Sequence, residues 1–276
     1  MKITYLGTGA SEAIPSVFCQ CKVCEIARKN KGKEIRARAG AVINDNLLID
    51  VPPDILLSSL RADISLTGIK DIIFTHSHED HCDTFELSRR NFDVYAHRVD
   101  DYATHIYGNH AVEARINIPD NVTALDFTYI EPFKTFTVSG DISITPLLAA
   151  HTPTEDCYLY LLEQDGKRFL YGHDTGLFPE VTMEYLKGKY IDCISLDCTN
   201  VMLPWETGHM GLPANVKLKA MLIKQGTADD KTVFICHHFS HNGFIPDGRY
   251  YSLEEFEQIA ADNGFIVSYD TMVVEV

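Results

Sequence analysis

The sequence lacks any long apolar run. Its opening, Met1-Lys2-Ile3-Thr4-Tyr5-Leu6-Gly7, meets a glycine too soon to read as a signal peptide or a membrane span. The expectation is a soluble, cytoplasmic protein with no membrane partner. Positive charge is scarce: 24 Lys and Arg stand against 39 Asp and Glu, a formal net charge of −15 over 276 residues. Such a balance repels a polyanion unless the acids are neutralised by metals or kept off the binding face, so nucleic acid is a disfavoured partner. No Pro/Gly/Ser-rich linker, internal repeat or low-complexity tract divides the chain, and one domain over residues 1–276 is expected. Eight cysteines are present. Without a secretory leader they are expected as thiols or metal ligands rather than disulfides, and three of them crowd into one short loop.

What is there reads as an α/β pattern. Strands are predicted at Ile3–Leu6, at the hairpin Ala41–Ile43 and Leu47–Ile49 around Asn44-Asp45-Asn46, and at Ile72–Phe74. Later strands are predicted at Val122–Tyr129, Phe136–Val138, Ile142–Pro146, Tyr158–Glu163, Arg168–Tyr171, Ile191–Leu196, Val233–Cys236 and Met272–Val276. Helices are predicted from Pro53-Asp54 and around Asp83–Arg90, Val99–Tyr107, Glu180–Leu186, Ala214–Gln225 and Leu253–Asn263.

The strand at Ile72–Phe74 runs directly into His76-Ser77-His78-Glu79-Asp80-His81. Imidazole and carboxylate hold borderline divalent ions, and four such groups in so short a loop can serve two adjacent ions. The plainer alternative is a solvated polar loop.

This segment resembles the HxHxDH signature of the metallo-β-lactamase superfamily. The resemblance implies an αββα four-layer sandwich, two mixed sheets flanked by helices. It also implies two divalent ions, Mn²⁺ or Zn²⁺, with Asp80 at the catalytic centre. The family's other ligands are expected after later strands: His151 follows Leu147-Leu148-Ala149-Ala150, Asp174 lies in Gly172-His173-Asp174-Thr175-Gly176, and His238 follows Val233-Phe234-Ile235-Cys236. By this resemblance His76, His78 and His151 hold the first ion, Asp80, His81 and His238 the second, and Asp174 bridges. A water or hydroxide between the ions would be the nucleophile. His173 and His237 are adjacent alternatives, and because strand side chains alternate only one of each pair can face the site. Asp50, after Leu47-Leu48-Ile49, matches a position where an acid supports the metal loop from behind; the alternative is a surface aspartate. His97, His105 and His110 show no ligand spacing.

Cys19-Gln20-Cys21-Lys22-Val23-Cys24 places three thiols in a tight loop, which reads as a structural zinc site or else as a local disulfide or free thiols. This CxCxxC loop resembles that of a narrower branch, the phosphonate-pathway cyclic phosphodiesterases. In that branch a histidine three residues beyond the last catalytic one completes the zinc site, which is His241 here and favours His238 over His237. Cys82, Cys157, Cys193, Cys198 and Cys236 read as buried thiols. Gly208-His209-Met210-Gly211 resembles the region supplying that branch's general acid, and His209 takes the role; the alternative is a histidine in a surface turn. The segment Val201–Thr207 maps onto no known substrate.

The implied function is a dinuclear metal-dependent hydrolase, a phosphodiesterase for a small or cyclic phosphodiester. The alternatives are a ribonuclease Z-like or other ester or lactone hydrolase and, in a different class, a non-catalytic metabolite-binding module. Oligomeric state is open, a homodimer included.

Overall fold

The computed structural model describes residues 1–90, 95–97, 102–118 and 123–276. Fourteen strands build two mixed sheets of seven strands each. From edge to edge the first holds β14 (Val273–Glu275), β1 (Lys2–Gly7), β2 (Gly40–Ile43), β3 (Leu47–Ile49), β4 (Asp71–Ile73), β5 (Thr104–Gly108) and β6 (Leu125–Tyr129). The second holds β13 (Ile266–Val267), β12 (Val233–His237), β11 (Cys193–Asp197), β10 (Lys167–Gly172), β9 (Tyr158–Gln164), β8 (Ile142–Leu148) and β7 (Phe136–Val138). In each sheet three antiparallel pairings give way to three parallel ones.

Side-chain alternation explains the layering. Along β9, Tyr158, Tyr160 and Leu162 point into a core shared by both sheets, while Leu159 and Leu161 point outward under helices. The shared core also takes Ile3, Tyr5, Ile43, Ile49 and Ile73 from the first sheet and Ile144, Phe169 and Tyr171 from the second. Outside the second sheet pack α1 (Lys22–Asn30), α5 (Glu180–Leu186), α6 (Leu212–Lys224) and α7 (Leu253–Asp262). Outside the first, Leu6, Val42, Leu48, Ile72 and Ile106 meet α2 (Ile55–Arg61), α3 (Thr84–Arg89) and α4 (His110–Ile116). The result is the four-layer αββα sandwich. Asp83, Asn109 and Ser252 cap α3, α4 and α7 by accepting backbone N–H bonds, which satisfies donors a helix start leaves unpaired. No described helix is long and apolar enough to cross a membrane.

One predicted element changes type. The helix expected over Val99–Tyr107 is replaced by strand β5 from Thr104; residues 99–101 lie outside the described residues, as does Val122. Thr104, Ile106 and Gly108 are buried while His105 is exposed, a period of two, and parallel pairing with β4 and β6 on either side rewards the β-branched and aromatic side chains. Helices α1 and α4 were not anticipated, the first because it starts inside the cysteine loop.

Candidate metal centre and active site

The candidate ligands sit just past strand ends, where the loops of both sheets meet. Asp50, Asp174 and His238 each adopt a left-handed backbone, with φ of 61°, 52° and 63°. That conformation is disfavoured for residues with a β-carbon and turns the chain sharply after β3, β10 and β12.

Asp50 is fully buried rather than on the surface. Its carboxylate accepts the Thr75 amide at 2.8 Å, the Thr75 hydroxyl at 2.9 Å and His81 Nδ1 at 2.8 Å. It therefore anchors the loop after β4 at two points and, with Nδ1–H donating, leaves His81 Nε2 its lone pair. The same logic recurs around the site. His76 Nδ1 lies 3.0 Å from Thr75 Oγ1, His151 Nδ1 3.2 Å from the Gly208 carbonyl, and His238 Nδ1 2.8 Å from Thr199 Oγ1. Each oxygen accepts the Nδ1–H bond and so leaves the Nε2 lone pair free for something else.

These atoms converge. The ligand atoms of His76, His78 and His151 all lie within 4.8 Å of one another, as do those of Asp80, His81 and His238. Asp174 stands between the two groups: Oδ2 is 3.0 Å from His81 Nε2 and 3.1 Å from His238 Nε2, and Oδ1 is 4.0 Å from His151 Nε2. Yet Nε2 of His76, His81 and His238 and Oδ2 of Asp174 are buried without a hydrogen-bond partner. Each such group costs about 1–3 kcal/mol if left so. Divalent cations at the two points of convergence satisfy all four, so the residues present fit the metals their types suggest.

Electrostatics agree. Burial pushes His76 well below the usual histidine range, which keeps its imidazole neutral and able to ligate. Burial also lowers His81, but Asp174, Asp80 and Asp50 outweigh it and hold metal-free His81 well above that range, so an ion bound there would displace the Nε2 proton and free that lone pair. For Asp174, burial works against ionisation, and the His238 and His81 charges more than offset it. Three carboxylates around one imidazole make a field that draws positive charge.

His209 borders the same cavity, about 490 Å³, together with His78, Asp80, His151, Asp174 and His238. Its Nδ1 lies 2.9 Å from Asp197 Oδ2 and 3.2 Å from Thr199 Oγ1. Burial lowers its pKa, but the Asp197 charge and hydrogen bond, with Asp174 and Asp80, lift it to about 9. Asp197 was missed by sequence reasoning. It is fully buried at the end of β11 and accepts from Thr199 N, Thr199 Oγ1 and Met210 N besides His209. Ser195-Leu196-Asp197 repeats the apolar-strand-then-acid pattern of Leu48-Ile49-Asp50, a signal that was available.

His173 and His237 lie outside this convergence. Their rings stack at 3.9 Å and 7° in the core against Tyr171 and Tyr5, and His173 Nε2 reaches Ser195 Oγ at 2.7 Å.

Across the edge of the sandwich the ligand atoms of Cys19, Cys21, Cys24 and His241 also lie within 4.8 Å of one another. Cys21 Sγ is 3.2 Å and Cys19 Sγ 3.7 Å from His241 Nδ1. The Cys21 amide donates to Cys19 Sγ, which favours its thiolate and lowers its pKa. All eight cysteines are free thiols, and the five outside the loop are buried. His105 and His110 pair with surface acids, Asp126 and Glu113, and no group of candidate ligands among the described residues includes them or His97.

The family described as the beta-lactamase superfamily domain matches residues 45–238. Among solved structures, a diphosphatase of the PhnP family is similar at 22% identity and a TM-score of 0.74, over 100% of this chain and 97% of that one. Zinc-bound PqqB from Methylobacterium extorquens is similar at 15% identity and a TM-score of 0.76, over 100% of both chains. Among curated proteins, an octanoyltransferase of Porphyromonas gingivalis is 27% identical over 165 residues, 55% of this chain, and the match spans only 31% of that protein. With the family match covering most of the chain and the sandwich shared along its whole length, this chain belongs to the β-lactamase superfamily and carries its metallo-β-lactamase fold.

Proposed function

We propose that this chain is a dinuclear metal-dependent phosphodiesterase acting on a small or cyclic phosphodiester, with residues 1–276 working as one domain. The fold supports a metal-dependent hydrolase. The observation that carries the finer reading is a proton donor, His209, buttressed by Asp197 and set on the same cavity as two ligand groups that share Asp174. In this reading His76, His78 and His151 hold one ion, Asp80, His81 and His238 the other, and Cys19, Cys21, Cys24 and His241 a structural zinc. When bound, the paired ions supply Lewis acidity and lower the pKa of water, from about 15.7 to about 7 on a single zinc.

The chain's own residues do the rest. The Gly208 carbonyl orients His151 while the next residue, His209, faces the cavity, so a ligand and a proton donor are set by one turn. With Nδ1 committed to Asp197, the other ring nitrogen of His209 protonates the departing oxygen, which otherwise leaves as a poor alkoxide. Without ions its pKa stands at about 9, and the positive charge of bound ions would lower it. The similarity to a PhnP-family diphosphatase, a protein whose name denotes phosphoryl chemistry, lends support.

The test is turnover of a chromogenic phosphodiester against the matching monoester, in protein reconstituted with manganese or zinc. Diester turnover well above monoester turnover is expected, with Asp80→Ala and Asp174→Ala each lowering kcat/KM by at least ~10²-fold. Inactivity of metal-loaded protein on both, or undiminished turnover in either variant, would overturn the reading.

A further inference from the structure

The outer wall of the active-site cavity carries a group that the metal centre and proton donor leave unused. Trp205, the chain's one tryptophan, lines the cavity that holds His78, Asp80, His151 and His209, yet is 59% exposed. A lone apolar side chain on open surface needs no explanation. An indole on the wall of a catalytic cavity is different when the backbone is built to keep it there.

The segment is fixed from several sides. Leu203 N donates to Asn200 O at 2.7 Å, Leu212 N to Val201 O at 2.6 Å, and Leu177 N to Glu206 O at 2.8 Å, while Lys217 Nζ clamps Glu206 Oε2 at 2.6 Å. A β-carbon on Gly211 would lie 2.0 Å from Leu203 O, and one on Gly176 2.3 Å from Glu206 O, so the segment is seated directly on two glycines. Val201 takes φ of 43°, a genuine outlier for a β-branched residue and a conformation that clusters at ligand-binding sites.

We infer that Trp205 is a stacking platform for a planar heteroaromatic group, and that the substrate is a phosphodiester bearing a nucleobase-like substituent, mononucleotide in size. This rests on the phosphodiesterase reading of the same cavity. Aromatic side chains stack on bases through their faces, and the wall beside Trp205 adds apolar Leu203 for the base's face and, for its rim, the Asn242 amide and the Asn200 amide oxygen, the Asn200 nitrogen being bonded to the His209 carbonyl. A cationic group on the ring has little carboxylate left to pair with beyond Glu12. Glu12 accepts the Ser240 hydroxyl and neighbours His241, while Asp80 and Asp174 belong to the ligand cluster. A cavity of about 490 Å³ suits one nucleotide, and a net charge of −15 disfavours a polymer.

Having one tryptophan makes the test direct. In zinc-loaded protein, thymidine 5′-monophosphate is expected to quench Trp205 emission saturably, whereas ribose 5-phosphate, with no base, leaves it unchanged. In kinetics, Trp205→Ala is expected to lower kcat/KM about 10-fold or more for p-nitrophenyl thymidine 5′-phosphate but less than about twofold for methyl p-nitrophenyl phosphate, which has the same leaving group. Trp205→Phe is expected to retain most of the preference. Equal losses on both diesters, equal quenching by both phosphates, or stronger quenching by phosphocholine would overturn the platform. If neither diester is turned over while thymidine 5′-monophosphate still quenches selectively, the platform stands and the phosphodiesterase reading falls; turnover without selective quenching means the reverse.

Discussion

At the scale of single residues the most informative side chain is His209, because its chemistry depends on one partner. Asp197 is the largest influence raising its pKa, against the lowering effect of burial. If protonated His209 is the acid, activity is lost as pH rises through its pKa, so the basic limb of a kcat/KM profile lies above the ordinary histidine value near 6.5. Removing the negative charge lowers that pKa: Asp197→Asn is expected to move the limb to lower pH. His209→Gln is expected to abolish the limb and lower kcat by ~10²–10⁴-fold for an alkoxide leaving group, with a much smaller loss for p-nitrophenolate, which needs no proton. An unmoved limb in Asp197→Asn would assign the titration to another group. The loop His76–His81 was legible because its candidate ligands are neighbours in sequence. Asp197 was not, because Thr199, Met210 and His209 reach it only once the chain has folded back.

Strands and helices tell a similar story with one reversal. Most strands were readable from alternation and apolar runs, and α5, α6 and α7 from periodicity, with ends shifted by two residues at most. The β-branched and aromatic side chains of Thr104–Gly108 are only a short local signal for a strand, and its neighbours β4 and β6 decide it through parallel pairing. Pairing also packs His173, from the residue after β10, against His237, at the end of β12. Burial drives both well below the usual histidine range, with His238 opposing a charge on His173 and His173 opposing one on His237. The unfolded chain takes up these protons near pH 6.5 while the folded one does not, so stability present above that pH is lost as pH falls below it. His237→Phe is expected to reduce the loss by about 1.4 kcal/mol per pH unit, read from urea midpoints between pH 7 and pH 5. Equal slopes in both proteins would clear the stack of this role.

On the scale of the whole molecule, the thiol cluster joins parts of the chain that are far apart in sequence. His241 and Cys21 are separated by 220 residues yet meet at 3.2 Å. If the cluster holds a structural zinc, as proposed, closing so long a loop would contribute folding free energy directly. Cys21→Ser is expected to remove one zinc equivalent per chain and lower Tm by several degrees, checked by metal analysis and calorimetry. Unchanged zinc content and Tm would argue for free thiols with no metal.

The sequence by itself determined the kinds of chemistry available: an acidic chain, a dense histidine–aspartate loop after a strand, a thiol cluster, and apolar patterns sufficient for a layered α/β fold. Those are local properties, set by neighbouring residues. Only the tertiary structure decided which of His173 or Asp174, and of His237 or His238, faces the cavity, because left-handed turns after β10 and β12 aim one neighbour outward and leave the other in the core. It likewise decided that Asp50 and Asp197 are buried supports and that Trp205 stands on the cavity wall, since burial and proximity arise only when distant strand ends are brought together.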